Sequence, residues 1–139
     1  MGNDKTVGLT KDAGYQVGAR RTIEADHARV WDFVFSTEGL KLWLGPTRGF
    51  PFEVGRSYEL NDGAVGDVRV FKSGSHARLT WQPGDYLRPS TIQVRILDKG
   101  RKTTIAFHQE HLPSSAAREN RREHFLAALE AIEQRMSIG

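Results

Sequence analysis

The sequence contains no cysteine. This absence excludes disulfide bridges, thiolate nucleophiles and cysteine-ligated metal sites, and it is typical of proteins in a reducing compartment. No apolar run approaches the roughly 18 residues of a membrane-spanning helix, and the first residues lack the basic-then-apolar order of a signal peptide. We therefore expect a cytoplasmic protein that is not inserted in a membrane.

Sequence motifs of common catalytic sites are missing as well. There is no G-x-S-x-G, no glycine-rich phosphate loop and no serine beside a suitable base. His108, Glu110 and His111 form a cluster of metal-ligand types, but in an extended strand His108 and Glu110 share one face and His111 lies on the other. Because a metal site needs three or four convergent ligands, we expect no catalytic residue, no metal and no cofactor.

Positive charge is in slight excess but is not concentrated. The formal net charge is +3 and the isoelectric point is about 9.4, whereas nucleic-acid-binding proteins usually carry a basic stripe. The densest basic stretch, Arg118, Arg121 and Arg122, is interleaved with Glu119 and Glu123. That interleaving is typical of a solvated helix face. We therefore predict no nucleic-acid partner and expect these arginines to face solvent.

The length of the chain fits one domain. Its 139 residues lie in the usual range of roughly 100–150, and we predict a flexible leader over 1–14 and a single domain over 15–139. Alternating apolar residues bounded by turn residues predict strands over 15–24, 56–60, 65–72, 77–82, 90–97 and 103–110. Asp26 and Ser36 are N-cap residues for two short helices, and apolar residues at helical spacing predict a last helix over 114–137. The short links between strands indicate an antiparallel sheet.

Four stretches of the sequence resemble one known family. They are Arg21-Thr22-Ile23-Glu24-Ala25-Asp26-His27-Ala28-Arg29-Val30-Trp31, Leu40-Lys41-Leu42-Trp43-Leu44-Gly45, Leu79-Thr80-Trp81-Gln82-Pro83 and Gln109-Glu110-His111-Leu112. Over about residues 15–136 the chain is similar to the START-like (SRPBCC) superfamily, and within it to the branch named for the activator of heat-shock-protein ATPase (AHSA-like). The resemblance implies an α+β helix-grip (Bet v-like) fold, in which a curved antiparallel sheet of six or seven strands wraps a long C-terminal helix, with two short helices after the first strand.

The resemblance implies a cavity between the sheet and the last helix, but no single function. Members of the superfamily include lipid carriers, hormone receptors, polyketide cyclases and toxin-binding resistance proteins, so a shared fold leaves the ligand open. Two positions depart from the usual pattern: many relatives carry Trp where this chain has Phe125, and His where it has Gln109. A role of that Trp or His is therefore not transferred to this chain.

Strand and helix periodicity predicts which side chains line the implied cavity. In the sheet, the inward apolar set includes Val68 and Val70. Aromatic residues with a polar tip suit a cavity wall because they pack against a ligand and orient one of its polar atoms. The candidate ligand-binding residues are Arg21, Trp31, Trp43, Tyr58, Trp81, Phe107, Phe125 and Leu129. The alternative interpretation is a filled core, because apolar residues at these periods are mainly interior.

Arg21 is the one charged residue in this set. Strand parity places it on the inward face of the first strand, where an unpaired guanidinium is costly to bury. A carboxylate such as Glu53, Glu59 or Glu110, or escape to solvent at the edge of the sheet, would meet its charge. The other interpretation is that Arg21 binds an anionic oxygen of a ligand.

Three functions are compatible with these observations. The first is the binding of an apolar or aromatic small molecule in the cavity, with stress or toxin response as one setting. The second is a cyclase- or aromatase-like enzyme acting on a polyketide-type substrate, in which Arg21, Tyr58 or His108 polarises an oxygen or moves a proton. The third is a co-chaperone that stimulates a heat-shock-protein ATPase, as the branch name suggests. We rank binding first, and the sequence leaves monomer and homodimer open.

Overall fold

The computed structural model describes residues 9–10 and 14–138. The strands within them are β1 (Leu9–Thr10), β2 (Gly14–Ile23), β3 (Ser57–Glu59), β4 (Val65–Lys72), β5 (His76–Trp81), β6 (Ser90–Lys99) and β7 (Lys102–Leu112). The helices are α1 (His27–Val34), α2 (Thr37–Trp43) and α3 (Ser115–Ile138). Of the predicted leader, β1 pairs with β2, while residues 1–8 and 11–13 lie outside the described residues.

The strands form one antiparallel sheet in the order β1-β2-β7-β6-β5-β4-β3. Strands β3 to β7 are neighbours in both sequence and space because their links are short. The longer route through α1 and α2 separates β2 from β3, and β2 lies beside β7, where Val17 pairs with Gln109. The helix-grip prediction is confirmed: the sheet is curved, two short helices follow the first long strand, and a long last helix packs on the sheet.

Side-chain caps begin both short helices, as predicted. A carboxylate oxygen of Asp26 accepts from the backbone N–H of Arg29 at 2.9 Å, and the Ser36 hydroxyl accepts from that of Gly39 at 3.0 Å. Helix α2 crosses the end of α1 so closely that a Cβ on Gly39 would overlap the carbonyl oxygen of Phe33 and lie 2.8 Å from that of Val34. Only glycine fits this crossing without a shift of the backbone.

One continuous core lies between the sheet and the helices. Alternate residues of β5, β6 and β7 are buried in it, and α3 packs on β2, β7 and α2. The buried residues of the C-terminal part of α3 are Phe125, Ala128, Leu129, Ile132 and Met136. Their spacing defines the helix face that meets the sheet. The rest of α3 is largely polar, and no helix in the described part of the chain combines the length and the apolar character needed to cross a bilayer.

A β-bulge overturns one prediction within the sheet. The register of β4 against β5 shifts between Val68 and Val70. Val68 is buried and pairs with Leu79, but Val70 pairs with Arg78 and lines the outer face of the sheet. Phe71 packs against the core in its place. The prediction that Val70 faces the helix is therefore wrong, because one inserted residue reverses the alternation beyond it.

Candidate functional site

Seven of the eight predicted ligand-binding residues lie in one buried cluster between the sheet and the helices. They are Trp31, Trp43, Tyr58, Trp81, Phe107, Phe125 and Leu129. Phe125 of α3 stacks on Phe107 of β7 with ring centroids 4.9 Å apart, and Phe107 contacts Trp43 at 5.5 Å. The structure thus brings these side chains together, and their binding of a ligand stays a prediction.

The polar tips of these aromatic residues differ in their hydrogen bonding. Trp43 Nε1 donates to the carbonyl oxygen of Val34 at 2.9 Å, and the Tyr58 hydroxyl donates to that of Thr80 at 2.5 Å. Trp81 Nε1 is buried as well, but it has no hydrogen-bond partner among the described residues. An unpaired buried donor costs about 1–3 kcal/mol. Trp81 therefore marks a place where the core does not satisfy its own polar groups.

Arg21 lies outside this cluster. Its side chain is 41% exposed, and its Nε lies 3.3 Å from an oxygen of Glu133 on α3. A carboxylate therefore balances the positive charge of Arg21, which is one of the alternatives expected from the sequence. That carboxylate comes from the last helix, however, and not from Glu53, Glu59 or Glu110.

Arg121 is the main residue that the sequence analysis missed. It was expected on a solvated face, yet only 5% of its surface is exposed. Its guanidinium carbon lies 4.0 Å from the centre of the Trp81 ring and 5.0 Å from that of Phe125. The prediction of a solvated face is therefore wrong for Arg121, although it holds for Arg122, which is exposed. One sequence signal could have found it: positions 121, 125, 129 and 132 fall on one face of a helix.

A row of hydrogen bonds holds the Arg121 side chain in place. Its Nε donates to Gln109 Oε1 at 2.8 Å, and Gln109 Nε2 donates to the Ser90 hydroxyl at 2.8 Å. Ser90 in turn donates to the carbonyl oxygen of Trp81 at 2.7 Å. Gln109 of β7 and Ser90 of β6 are fully buried, so the row of hydrogen bonds lies inside the protein. Beyond this row, Arg121 Nη2 is buried without a hydrogen-bond partner in the part of the chain that the structure describes.

The charge of Arg121 is not balanced by an acidic neighbour in direct contact. None of the ion pairs between described residues involves it. Burial lowers the pKa of Arg121 to about 10, while the electrostatic influence of Tyr86, Tyr58 and Asp62 raises it. The guanidinium is therefore still protonated at neutral pH. Its contact with the Trp81 ring offsets part of the desolvation cost, by about 2 kcal/mol for a desolvated cation–π pair.

The loop between β5 and β6 covers this end of the core. The half-buried ring of Tyr86 packs edge-on against Trp81, with centroids 5.4 Å apart. Gln82 Nε2 donates to the Tyr86 carbonyl oxygen at 2.9 Å and so ties the loop to the end of β5. At the tip of the loop, Leu87 is 97% exposed. The ring of Tyr86 therefore separates Trp81 from solvent on this side.

The histidines and acids of β7 do not assemble into a metal site. His108 lies on the outer face of the sheet, where its Nε2 is 2.9 Å from Gln16 Oε1. His111 was expected on the inner face, but its φ is 64° and its Nδ1 lies 3.5 Å from the Thr91 hydroxyl on the outer face. That prediction is wrong because the left-handed backbone at His111 interrupts the strand alternation. Among residues 9–10 and 14–138, no three potential ligands are grouped around a common point.

The three residues considered for proton transfer are also apart. Arg21 pairs with Glu133 on α3, and the Tyr58 hydroxyl is engaged by a backbone carbonyl. His108 lies on the opposite face of the sheet from the buried cluster. Because a general acid or base must reach the atom that reacts, the structure does not bring these side chains together as one site.

A groove of about 1200 Å³ lies on the outer face of the sheet. It is lined by Arg69, Val70, Arg78, Thr91 and Glu110, among others, and by the loop that carries Leu87. Two of its arginines have polar partners: Arg69 Nη2 is 3.4 Å from Asp67, and Arg78 Nη2 donates to Gln93 at 2.7 Å. The groove is thus lined by both positively and negatively charged residues. A binding experiment must therefore distinguish a ligand in this groove from a ligand between the sheet and α3.

Comparison with solved structures shows where this architecture occurs elsewhere. CalU16 from Micromonospora echinospora superimposes with a TM-score of 0.77 at 17% identity, over 91% of this chain and 78% of that one. Protein MLL2253 from Mesorhizobium loti gives a TM-score of 0.75 at 15% identity, over 88% and 96% of the two chains. An HSP90 activator from Plasmodium falciparum gives 0.61 at 14% identity, over 70% and 74%. The chain therefore shares the helix-grip (START-like) fold with these structures.

At these identities the START-like fold is shared and a function is not carried over with it. No protein-family model matches the sequence, and no curated protein matches it either.

His124 of α3 lies beside Arg121 in the START-like core. Its Nε2 donates to the carbonyl oxygen of Trp43 at 2.8 Å. Burial, followed by the charge of Arg121, lowers the pKa of His124 below its usual value, and the bond to Trp43 raises it in part. Because the unfolded chain then binds a proton more readily than the folded one, we expect stability to fall as the pH drops from about 7 through the folded-state pKa.

The variant His124→Gln should flatten this loss of stability, since an amide keeps a donor for Trp43 and does not titrate. Urea unfolding at about pH 7.5 and about pH 5.5 measures the difference. His27→Gln is the matched control, because His27 Nε2 also lies at hydrogen-bond distance, 3.1 Å, from a backbone carbonyl oxygen. An equal loss of stability in wild type and His124→Gln would contradict the prediction.

Proposed function

We propose that this protein binds a small apolar or aromatic molecule between the sheet and α3, at the end of the core where Trp81 and Arg121 meet. The observation that carries the proposal is a pair of buried donors on adjacent side chains, Trp81 Nε1 and Arg121 Nη2, neither of which has an acceptor among the described residues. Native proteins leave few buried polar atoms unpaired, and the usual partners from outside the chain are an ordered water or a bound molecule. An oxygen of a bound molecule would accept from these donors.

The surroundings of the two donors favour an aromatic or acyl ligand. Phe125 and Trp81 present ring faces to the guanidinium, and the edge of Tyr86 packs against Trp81. A ligand ring that displaced Tyr86 from Trp81 would replace one aromatic contact by another, so opening the loop would lose little apolar contact. Mostly apolar walls with a few convergent polar groups are the usual composition of a small-molecule site.

The test uses phenylnaphthylamine, a neutral apolar fluorophore that brightens when it leaves water. We expect the wild type to bind it, and Trp81→Leu to weaken the affinity by about tenfold or more, because central aromatic residues carry most of the binding energy in such sites. Thr91→Trp is the matched control, since it places a bulky indole in the outer groove and not in the interior. Native mass spectrometry of the freshly purified protein would reveal a molecule that co-purifies.

Two outcomes would contradict the proposal. If Thr91→Trp abolishes binding and Trp81→Leu does not, the ligand occupies the outer groove. If neither fluorophore nor co-purified molecule is found with the wild type, the interior is a filled core and a surface-mediated role takes precedence. Circular dichroism of each variant confirms that a loss of binding is not a loss of fold.

A further inference from the structure

Resting on that proposed function, we propose that the ligand is a monoanion, an aromatic or acyl molecule with one carboxylate or similar oxyanion, and that Arg121 is the residue that recognises it. Arg121 is charged although only 5% of its surface is exposed, and no described carboxylate pairs with it. A buried charge is retained in folded proteins when a counter-charge or a complete set of hydrogen bonds compensates for its desolvation. Arg121 has no counter-charge in direct contact, and its set of hydrogen bonds is incomplete among the described residues. An oxyanion of the ligand would supply both the negative charge and the missing acceptor.

The hydrogen bonds already made leave Arg121 prepared for this role. Gln109 accepts a hydrogen bond from Arg121 Nε, and its own amide donates to the Ser90 hydroxyl. These two bonds fix the plane of the guanidinium before a ligand binds. Nη2 still lacks an acceptor in the described residues. A guanidinium is suited to planar oxyanions because its donors lie in one plane with fixed spacing. Because Gln109 is a neutral amide and not a carboxylate, it orients the guanidinium without neutralising its charge.

The neighbouring groups indicate one negative charge rather than two. Arg118, one turn earlier on α3, is engaged by Glu119 at 2.7 Å and by the carbonyl oxygen of Gln16 at 3.0 Å. His124, one turn later, stays neutral near pH 7 because burial and the charge of Arg121 lower its pKa. A phosphate dianion would therefore meet a single cation, and its second charge would be buried without compensation. The site fits a carboxylate or a sulfonate better than a phosphate.

Two fluorophores that differ only by a charged group test this inference. Anilinonaphthalene sulfonate is phenylnaphthylamine with one added sulfonate, a permanent oxyanion. We expect Arg121→Met to weaken sulfonate binding by about 10- to 100-fold, the loss associated with a charged hydrogen bond, and to change binding of the neutral probe by less than about threefold. Arg121→Lys keeps the charge but not the planar donors, so its effect on the sulfonate should lie between wild type and Arg121→Met.

Two control variants carry the same substitution elsewhere. Arg20→Met removes an exposed arginine of β2, and Arg122→Met removes the exposed neighbour of Arg121. Both should bind each probe as the wild type does. Added salt should also leave wild-type sulfonate binding nearly unchanged, because buried pairs are screened far less than surface ones.

The outcomes separate this inference from the proposed function. Selective loss of the sulfonate in Arg121→Met, with both controls unchanged, supports the assignment. A different result is possible when the wild type binds the neutral probe. If Arg121→Met then binds both probes as the wild type does, or is folded and loses both equally, Arg121 has a structural role. The assignment of an anionic ligand is then overturned, although the proposed binding site is not. If the wild type binds neither probe, the proposed function fails and this inference fails with it.

Discussion

Replacing Gly39 by alanine is expected to lower the melting temperature by roughly 10 °C or more. The Cβ would overlap the carbonyl oxygen of Phe33 and come within 2.8 Å of that of Val34, and both obstacles are backbone atoms that cannot rotate away. Helices α1 and α2 must therefore separate, which disturbs Trp43, whose Nε1 bonds Val34 and whose ring packs on Phe107. Overpacking costs roughly 1–3 kcal/mol, and we expect the upper end of that range here because the obstacles are backbone atoms. Thermal unfolding followed by circular dichroism measures the change.

The control for this substitution is Gly49→Ala. Nothing lies within 4 Å of a Cβ placed there, and Gly49 is not among the glycines with positive φ. The change should leave the melting temperature the same or raise it slightly, since alanine restricts the unfolded chain. Equal melting temperatures for the two variants would show that the crossing of α1 and α2 tolerates a side chain.

Replacing Gln109 by methionine is expected to destabilise the protein by about 3 kcal/mol, the cost of leaving a buried charge without its partner. Methionine preserves the length of the side chain, so the loss is one of hydrogen bonds and not of volume. Arg121 Nε would lose its acceptor, and the Ser90 hydroxyl would lose the donor from Gln109. The free energy of unfolding from urea titration measures the effect.

The double variant Gln109→Met/Arg121→Met should recover most of that stability or exceed the wild type. Removing both members of a buried polar pair is often neutral or stabilising, whereas removing one is costly. A double-mutant cycle with Arg121→Met alone gives the coupling, which we expect to exceed about 1 kcal/mol. If the two effects simply add, the guanidinium is not held by Gln109 in solution. A gain in stability would show that the wild type retains a buried charge at a cost, as binding sites commonly do.

Much of the fold could be predicted because its signals are local. Asp26 and Ser36 each cap the helix that follows them, and the hairpin between β6 and β7 turns at Gly100, which has φ 83°. Such residues act on their own backbone within a few positions. The apolar periodicity of the strands and of α3 then determined which faces meet. For these features the sequence carries the information at short range.

The wrong predictions concern residues whose position depends on strand pairing or on contacts between distant segments of the chain. The bulge beside Val70 and the left-handed backbone at His111 reverse alternation without a distinctive residue type. Arg121 looked solvated because charged neighbours surround it in sequence, whereas its environment is set by Trp81, Ser90 and Gln109 on three strands. The departure at Gln109 was visible from the family resemblance. Its role in holding Arg121 becomes apparent only when β7 and α3 are packed together.

The strand order has a consequence for how the chain acquires this structure. Strands β3 to β7 are built from successive hairpins, which close short loops and form by local steps. Strand β2, by contrast, pairs with β7 through residues such as Val17 and Gln109, so it must close a loop of about 90 residues, and non-local pairing of this kind slows folding. During synthesis β2 leaves the ribosome before its partner exists, and the backbone groups that later bond to β7 stay unpaired meanwhile. We therefore expect β2, an early strand in translation, to be among the last strands to pair during folding.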